Sequence, residues 1–359
     1  MRIYNFFKIA LAILLSSSTA VFATNSNFSI KKNLSSTAIN PPKITATGNQ
    51  IYCPQTYVKI VTDVKIEYDA AKPNTDAIYI QIASGYINGQ DRLSLSGSHP
   101  TIKTEWIALE GKLKLSSITS GASVSYTDFE AAIKDVEFYN SSLSPSGIRN
   151  FSISVGIGQA NYLPRNGHFY EYVASPGISW TAAKAAAETK TYYGLQGYLA
   201  TLTASDEAQL AGAQAPGTGW IGGNDTAQEG TWRWVTGPEA GAAFTFAFWN
   251  NNEPNNAGNE DYAHITDPNL PNSIRGSWND LPEIGGDGLY APKGYIVEYG
   301  GMPGETPLEI SASTSITIPK ITGTTPSSRC GSGSITLQAN ATNGTISWYT
   351  TLTGGTAIE

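Results

Sequence analysis

The stretch WNNNEPNNAGNEDY, residues 249–262, and the SWNDL at 277–281 decide how the middle of this chain is read. Together they hold Glu253, Asn255, Glu260, Asn279 and Asp280, whose metal-ligating atoms are all carboxylate or amide oxygens. Calcium takes about six to eight such oxygens at ~2.3 to 2.6 Å. The stretch is rich in Pro, Asn and Gly, which build tight turns and loops, and loops on a rigid scaffold are where binding groups concentrate. Pro254 lies between Glu253 and Asn255. Proline can fix such a loop by a cis bond, and Pro254 is the expected cis-proline.

Working outward, three further patterns precede these two in a fixed order. They are Leu199-Ala200-Thr201-Leu202 with Glu207, Trp220-Ile221-Gly222-Gly223, and Glu229-Gly230-Thr231-Trp232-Arg233-Trp234, after which Trp249 opens the stretch that carries Glu253. Two helical patterns lie among them. Ser179 suits the N-cap of a helix through Trp180, Ala183, Ala187 and Thr189, and Ser205 that of a second with Glu207 in its first turn and Ala208 and Leu210 on its apolar face. Beyond Ala215 the residues predict loops and short strands, so an α+β domain is expected at 167–300.

In order and spacing these motifs resemble the C-type lectin-like family from His168 to Tyr299. The resemblance implies that Glu253, Asn255, Glu260, Asn279 and Asp280 hold one Ca2+ whose remaining coordination sites take two neighbouring sugar hydroxyls. Each hydroxyl would lend a lone pair to the metal, donate its proton to a carboxylate and accept from an amide NH2. The order Glu-Pro-Asn, rather than Gln-Pro-Asp, is similar to that of members binding mannose, N-acetylglucosamine, glucose or fucose. An accessory calcium is implied at Asp225, Glu229, Asn256 and Asp261, where Asn256 replaces an acidic residue of the pattern. Two departures stand out: Tyr262 and Val297 occupy positions of family cysteines, and Pro282 to Pro292 lengthens the final loop beside the site. Asp287 and Tyr290 on that loop are candidate ligand contacts.

The flanks read differently. Arg2 and Lys8 lead into an apolar run from Ile9 to Leu15 and small residues to Ala23, the pattern of a secretory signal peptide at 1–23. That run is shorter than the roughly 20 apolar residues a membrane-spanning helix needs. A Ser/Asn/Thr-rich linker occupies 24–41. Alternating runs such as Ala77–Ile82 and Phe151–Val155, broken by turn residues, predict an antiparallel β-sandwich at 42–160, with one helix over Thr127–Val136. From Pro307 alternation returns in Ser313–Ile318 and Ser334–Ala339, and Ile346-Ser347-Trp348-Tyr349 resembles the central strand of an immunoglobulin-like sandwich. With only residues 307–359 available, that last domain is expected to be incomplete, with further domains downstream of Glu359. The fold class is thus multidomain, all-β and α+β. Its first domain resembles the cadherin-like or immunoglobulin-like modules of secreted Bacteroidetes surface proteins.

Composition narrows the function classes. A net charge of −7, with 22 Lys and Arg against 29 Asp and Glu, argues against a nucleic-acid partner, which needs basic patches. Two cysteines, Cys53 and Cys330, cannot staple any one domain. No Ser/His/Asp or HExxH arrangement is evident, and His264 is expected to be half-buried in a strand. Trp220, Trp232, Trp234 and Trp278 are expected in the core. The reading is a secreted or cell-surface, calcium-dependent carbohydrate-binding protein active in adhesion, and no enzyme. The alternative is a structural adhesin in which calcium only stiffens a protein-binding fold.

Overall fold

A computed structural model of the chain describes residues 41–156, 160–342, 345–351 and 356–358. The expected signal peptide and nearly all of the linker lie outside them. The alternation in the first region becomes strands whose buried residues share one core. Its main sheet has the order Asn49–Ile51, Ser311–Ile318, Gly147–Val155, Ala77–Ser84, Lys112–Ser117, Ile102–Ile107. Ladders Val58–Lys59, Val136–Asn140 and Asp91–Leu95, and Lys43–Thr47 with Asp63–Glu67, supply further strands. Ile80, Phe129, Phe138, Phe151 and Ile316 are wholly buried in one apolar cluster. The helix runs from Tyr126 to Lys134, capped by Ser125 Oγ accepting from Asp128 N. It starts one residue earlier and ends two earlier than the pattern suggests, since Val136 opens the next strand.

Strand Ser311–Ile318 shows what alternation leaves open. Assigned by sequence to the last domain, it pairs antiparallel along Gly147–Val155, from Gly147↔Ile318 to Ser154↔Ser311. Period two says that one face is buried, but not against which sheet. Here Ile316 and Ile318 complete the first core and cover what would otherwise be an exposed strand edge. The whole middle region therefore lies between two strands that are neighbours in one sheet. Beyond Ile318 the chain forms a two-stranded ladder, Ile321–Thr325 with Gln338–Ala341. Ile346–Tyr349, expected as a central strand, forms none, and Trp348 is half-buried. With Ser311–Ile318 given to the first sheet, the described residues after it supply no second layer to cover that ring.

The middle region centres on a sheet ordered Ala160–Leu163, His168–Ala174, Gly294–Tyr299, Trp220–Asn224, Tyr262–Ile265, Trp278–Leu281, with Leu195–Leu199 also on Gly294–Tyr299. Helix Trp180–Glu188 packs on it, Ser179 Oγ accepting from Ala182 N at 3.3 Å. The second helix differs from expectation. Ala204, not Ser205, is the N-cap, and the buried carboxylate of Glu207 reaches back to Ala204 N at 2.9 Å and to Thr203 N. The helix then widens into a π-helical turn, Ala208–Ala213. Trp220, Trp232, Trp234 and Trp278 are all buried, as expected.

Two glutamines tie this region to the first. Gln209 accepts from Gly85 N at 3.0 Å and donates to Tyr86 O at 2.7 Å. Gln214 donates to Ile82 O and Glu110 O at 3.0 and 2.7 Å. Cys53 and Cys330 are both free and exposed. No helix among the described residues is long and apolar enough to cross a membrane.

Candidate functional site

Trp278 supports the site from below. Its ring is fully buried against Trp234 and Trp249, and its backbone accepts from Asn250 N and donates to Phe248 O, both at 2.7 Å. Residues 248–250 are thereby held alongside strand Trp278–Leu281, which fixes where the loop after them departs. In that strand Asn279 pairs with His264 and Asp280 with Ala263. Asp280 is buried, and both its carboxylate oxygens accept loop N–H groups, Asn255 N at 3.1 Å and Asn256 N at 2.8 Å. The Glu253–Pro254 peptide bond is cis. Asn255 donates its amide to Glu253 Oε2 at 2.5 Å, while Ala257 N is shared by Asn255 Oδ1 and Glu260 Oε2, each at 2.9 Å. Asn252, Asn256 and Asn259 have positive φ, which asparagine tolerates better than most residues.

The five residues singled out from sequence line one cleft of about 340 Å³, with Asp287 and Tyr290 of the lengthened loop. Its electrostatics are unfavourable when it holds carboxylates alone. Glu253 is pushed up to about 7, first by burial and then by its contact with Asp280 and the charge of Glu260. Burial also raises Glu260, with Asp280 adding to the effect. A divalent cation would relieve this repulsion. The donor set fits calcium: it is all oxygen, and Asn279 Oδ1 is buried without a hydrogen-bond partner. Two of the five residues are asparagines, and among the described residues no three His, Cys, Asp or Glu side chains form a metal cluster.

Three of the four residues of the accessory position, Asp225, Glu229 and Asp261, are also neighbours. Asp225 N donates to Asp261 O at 3.2 Å, and Asp225 has one carboxylate oxygen on Gly230 N at 2.8 Å and the other buried without a partner. Burial raises its pKa, the Gly230 N–H opposes this, and the charges of Glu229, Asp261 and Asp280 add to it. Asn256 Oδ1 accepts from Glu260 N at 2.8 Å, so this amide oxygen already serves the loop.

Sequence reasoning missed one polar cluster. Glu298 and Glu207 are almost fully buried around Tyr170, which donates to Glu298 at 3.0 Å. His168 Nδ1 lies 2.6 Å from Glu298 and Arg165 Nη2 2.9 Å from Glu207. Burial pulls His168 down, but the bond to Glu298 and that carboxylate's charge outweigh it and leave its pKa raised. A glutamate inside the apolar strand Gly294–Tyr299 was the available signal. His264 is wholly buried rather than half-buried, and burial pushes its pKa down to about 4. Its strand is covered on both faces, Ala263, His264 and Ile265 all being buried, and Trp220 packs edge-on against the ring.

No family model matches the chain. Over 305 residues it is 32% identical to halomucin of Haloquadratum walsbyi, a match covering 79% of this chain and 3% of that protein. It is 46% identical to the hepatic lectin of Gallus gallus over 63 residues, 17% of this chain and 26% of that one. A third match, C-type lectin domain family 17, member A of Homo sapiens, is 42% identical over 67 residues, 19% of this chain and 15% of that one. Among solved structures, the mouse scavenger receptor C-type lectin carbohydrate-recognition domain aligns with a TM-score of 0.31 at 21% identity, covering 40% of this chain and 96% of that one. The chain thus spans only a small share of the curated relatives it matches. Part of it is C-type lectin-like.

Proposed function

We propose that this protein is a secreted or cell-surface lectin that binds mannose-type sugars through calcium held by Glu253, Asn255, Glu260, Asn279 and Asp280. The observation that carries the reading is the convergence of these five oxygen-bearing side chains on one cleft, with Asn279 Oδ1 buried and unpartnered. The sequence similarity to C-type lectins supports it. Bound calcium would supply a Lewis-acidic point for two neighbouring hydroxyls. The protein's own groups do the rest. Glu253 and Glu260 accept hydroxyl protons, and the NH2 groups of Asn255 and Asn279 donate to hydroxyl lone pairs. Asn255 and Glu253 satisfy each other at 2.5 Å, so a bound hydroxyl exchanges one internal hydrogen bond for two of its own.

Asp225, Glu229, Asn256 and Asp261 would hold the accessory calcium, stiffening the loop that carries Glu253. The first β-region serves as a rigid mount, since the lectin-like region leaves and re-enters its sheet between neighbouring strands. The test is Glu253→Gln with Asn255→Asp, which reverses acceptor and donor at constant total charge. Isothermal titration calorimetry in calcium should show mannose affinity falling about tenfold or more, a loss of about 1.4 kcal/mol for groups left mispaired. Unchanged mannose affinity, or binding indifferent to chelator, would sink the reading.

A further inference from the structure

The cleft has a second wall that the five proposed ligand residues do not provide. It comes from the loop between Pro282 and Pro292, which is anchored at both ends. Glu283 O accepts from Trp180 N at 2.8 Å and its carboxylate from Thr181 N at 3.2 Å, at the start of helix Trp180–Glu188. Hydrogen bonds from Ser179 and Thr181 hold the Glu283 carboxyl below its usual range, so it stays charged at this helix N-terminus. At the other end Pro292 O accepts from Gly177 N at 2.8 Å. Gly285, at φ +76°, lets the loop fold onto Pro292, where a Cβ would sit 2.3 Å from the proline ring. The loop is therefore braced against the body of the domain before any ligand arrives.

What this braced loop presents is unusual for a solvated segment. Ile284, Leu289 and Tyr290 are 72%, 38% and 43% exposed, three large apolar side chains within a few residues. Tyr290 lines the cleft, and among the described residues it stacks on no other ring and its hydroxyl has no hydrogen bond. Asp287, also in the lining, has no ion-pair partner among them. No Lys, Arg or His among the described residues lines the cleft, so Glu253, Glu260, Asp280 and Asp287 leave it negative even after one divalent cation is counted.

We propose that this loop makes the cleft a site for neutral oligosaccharides: Tyr290 packs on the C–H face of the sugar unit next to the one held by its hydroxyls, and Asp287 turns away anionic sugars. The inference rests on the lectin reading above. A pyranose ring offers hydroxyls at its edge and an apolar face of C–H groups, which an aromatic ring covers without stranding a polar atom. A wall fixed in advance loses little entropy when the sugar arrives. The carboxylate of Asp287 contributes by repelling a uronate, sialate or sulfate in a cleft whose described lining has no Lys, Arg or His and whose carboxylates outnumber the charge of one calcium.

Calorimetry on the whole chain in calcium, with methyl α-mannoside, a mannose disaccharide and a disaccharide ending in glucuronate, tests this. The parent protein should bind the neutral disaccharide about fivefold tighter than the monosaccharide, the worth of one aromatic contact. Tyr290→Ala should erase that preference by weakening the disaccharide about fivefold more than the monosaccharide, and Tyr290→Phe should keep it. Asp287→Asn should improve the glucuronate ligand severalfold and leave the neutral ones alone. Calcium affinity by dye competition and the melting temperature in chelator should match the parent in all three variants. If Tyr290→Ala preserves the disaccharide preference, or if its effect is instead loss of self-association in sedimentation, the second wall is not a sugar site. If no sugar binds the parent in a calcium-dependent way, it is the lectin reading that fails.

Discussion

Glu253→Gln should stabilise the calcium-free protein and destabilise the calcium-loaded one. Glu253 shares its surroundings with Asp280 and Glu260, and its pKa is pushed up from 4.5 to about 7, with burial the first cause. Because the folded pKa lies above the unfolded one, the folded state holds this proton more tightly. No cost arises below about pH 4.5; the cost grows as pH rises and is complete above about pH 7. For a fully buried group the shift would amount to about 3 kcal/mol. Glu253 is partly exposed, and solvent screening reduces this to about 1 kcal/mol. Glutamine never ionises, so in chelator at about pH 7.5 the variant should melt about 2 °C above the parent, and the two should coincide near pH 5. In excess calcium the order should invert, since a hundredfold loss of metal affinity removes about 2.7 kcal/mol of linked stability. Scanning calorimetry at both pH values, with calcium and with chelator, reads all four states. His168, raised by Glu298, costs stability as pH rises, and His264, pushed down to about 4, costs it as pH falls. Both are common to the two proteins and cancel in the difference. A variant no more stable than the parent in chelator at pH 7.5 would refute the claim that Glu253 is held charged against burial and its neighbouring carboxylates.

Gln214→Ala leaves Glu110 O and Ile82 O without the side-chain donor that joins the two regions, and should cost about 1 to 3 kcal/mol in urea unfolding. The sharper outcome is a loss of cooperativity, with the aromatic signal of the lectin-like region preceding the loss of β-structure. Cys53 and Cys330 are free and exposed, so a thiol reagent should count two reactive groups per chain without denaturant. A count of none would overturn this, showing both thiols oxidised or bonded.

The motifs of the middle region were legible because each is local. Glu253-Pro254-Asn255 and Trp278-Asn279-Asp280 carry their chemistry in neighbouring residues, and Trp220, Trp232, Trp234 and Trp278, large apolar rings expected in the core, are buried there. Helix Trp180–Glu188 was legible for the same reason, its cap and its alanine face lying within one short segment. Local pattern fails where a choice between distant partners is made. Ser311–Ile318 alternates equally well for either sheet, and only the apolar face it shares with Phe151 selects the first. Ser205 is a better cap by residue type than Ala204, yet the buried Glu207 decides the helix start by reaching back to the backbone. Likewise the sequence names Glu253 and Asp280 as oxygen donors but cannot say that they lie close enough to raise a pKa, nor that Tyr290 faces them across a cleft. Composition and short-range order are properties of the chain. Strand partnership, burial and charge proximity arise only when segments far apart in sequence meet.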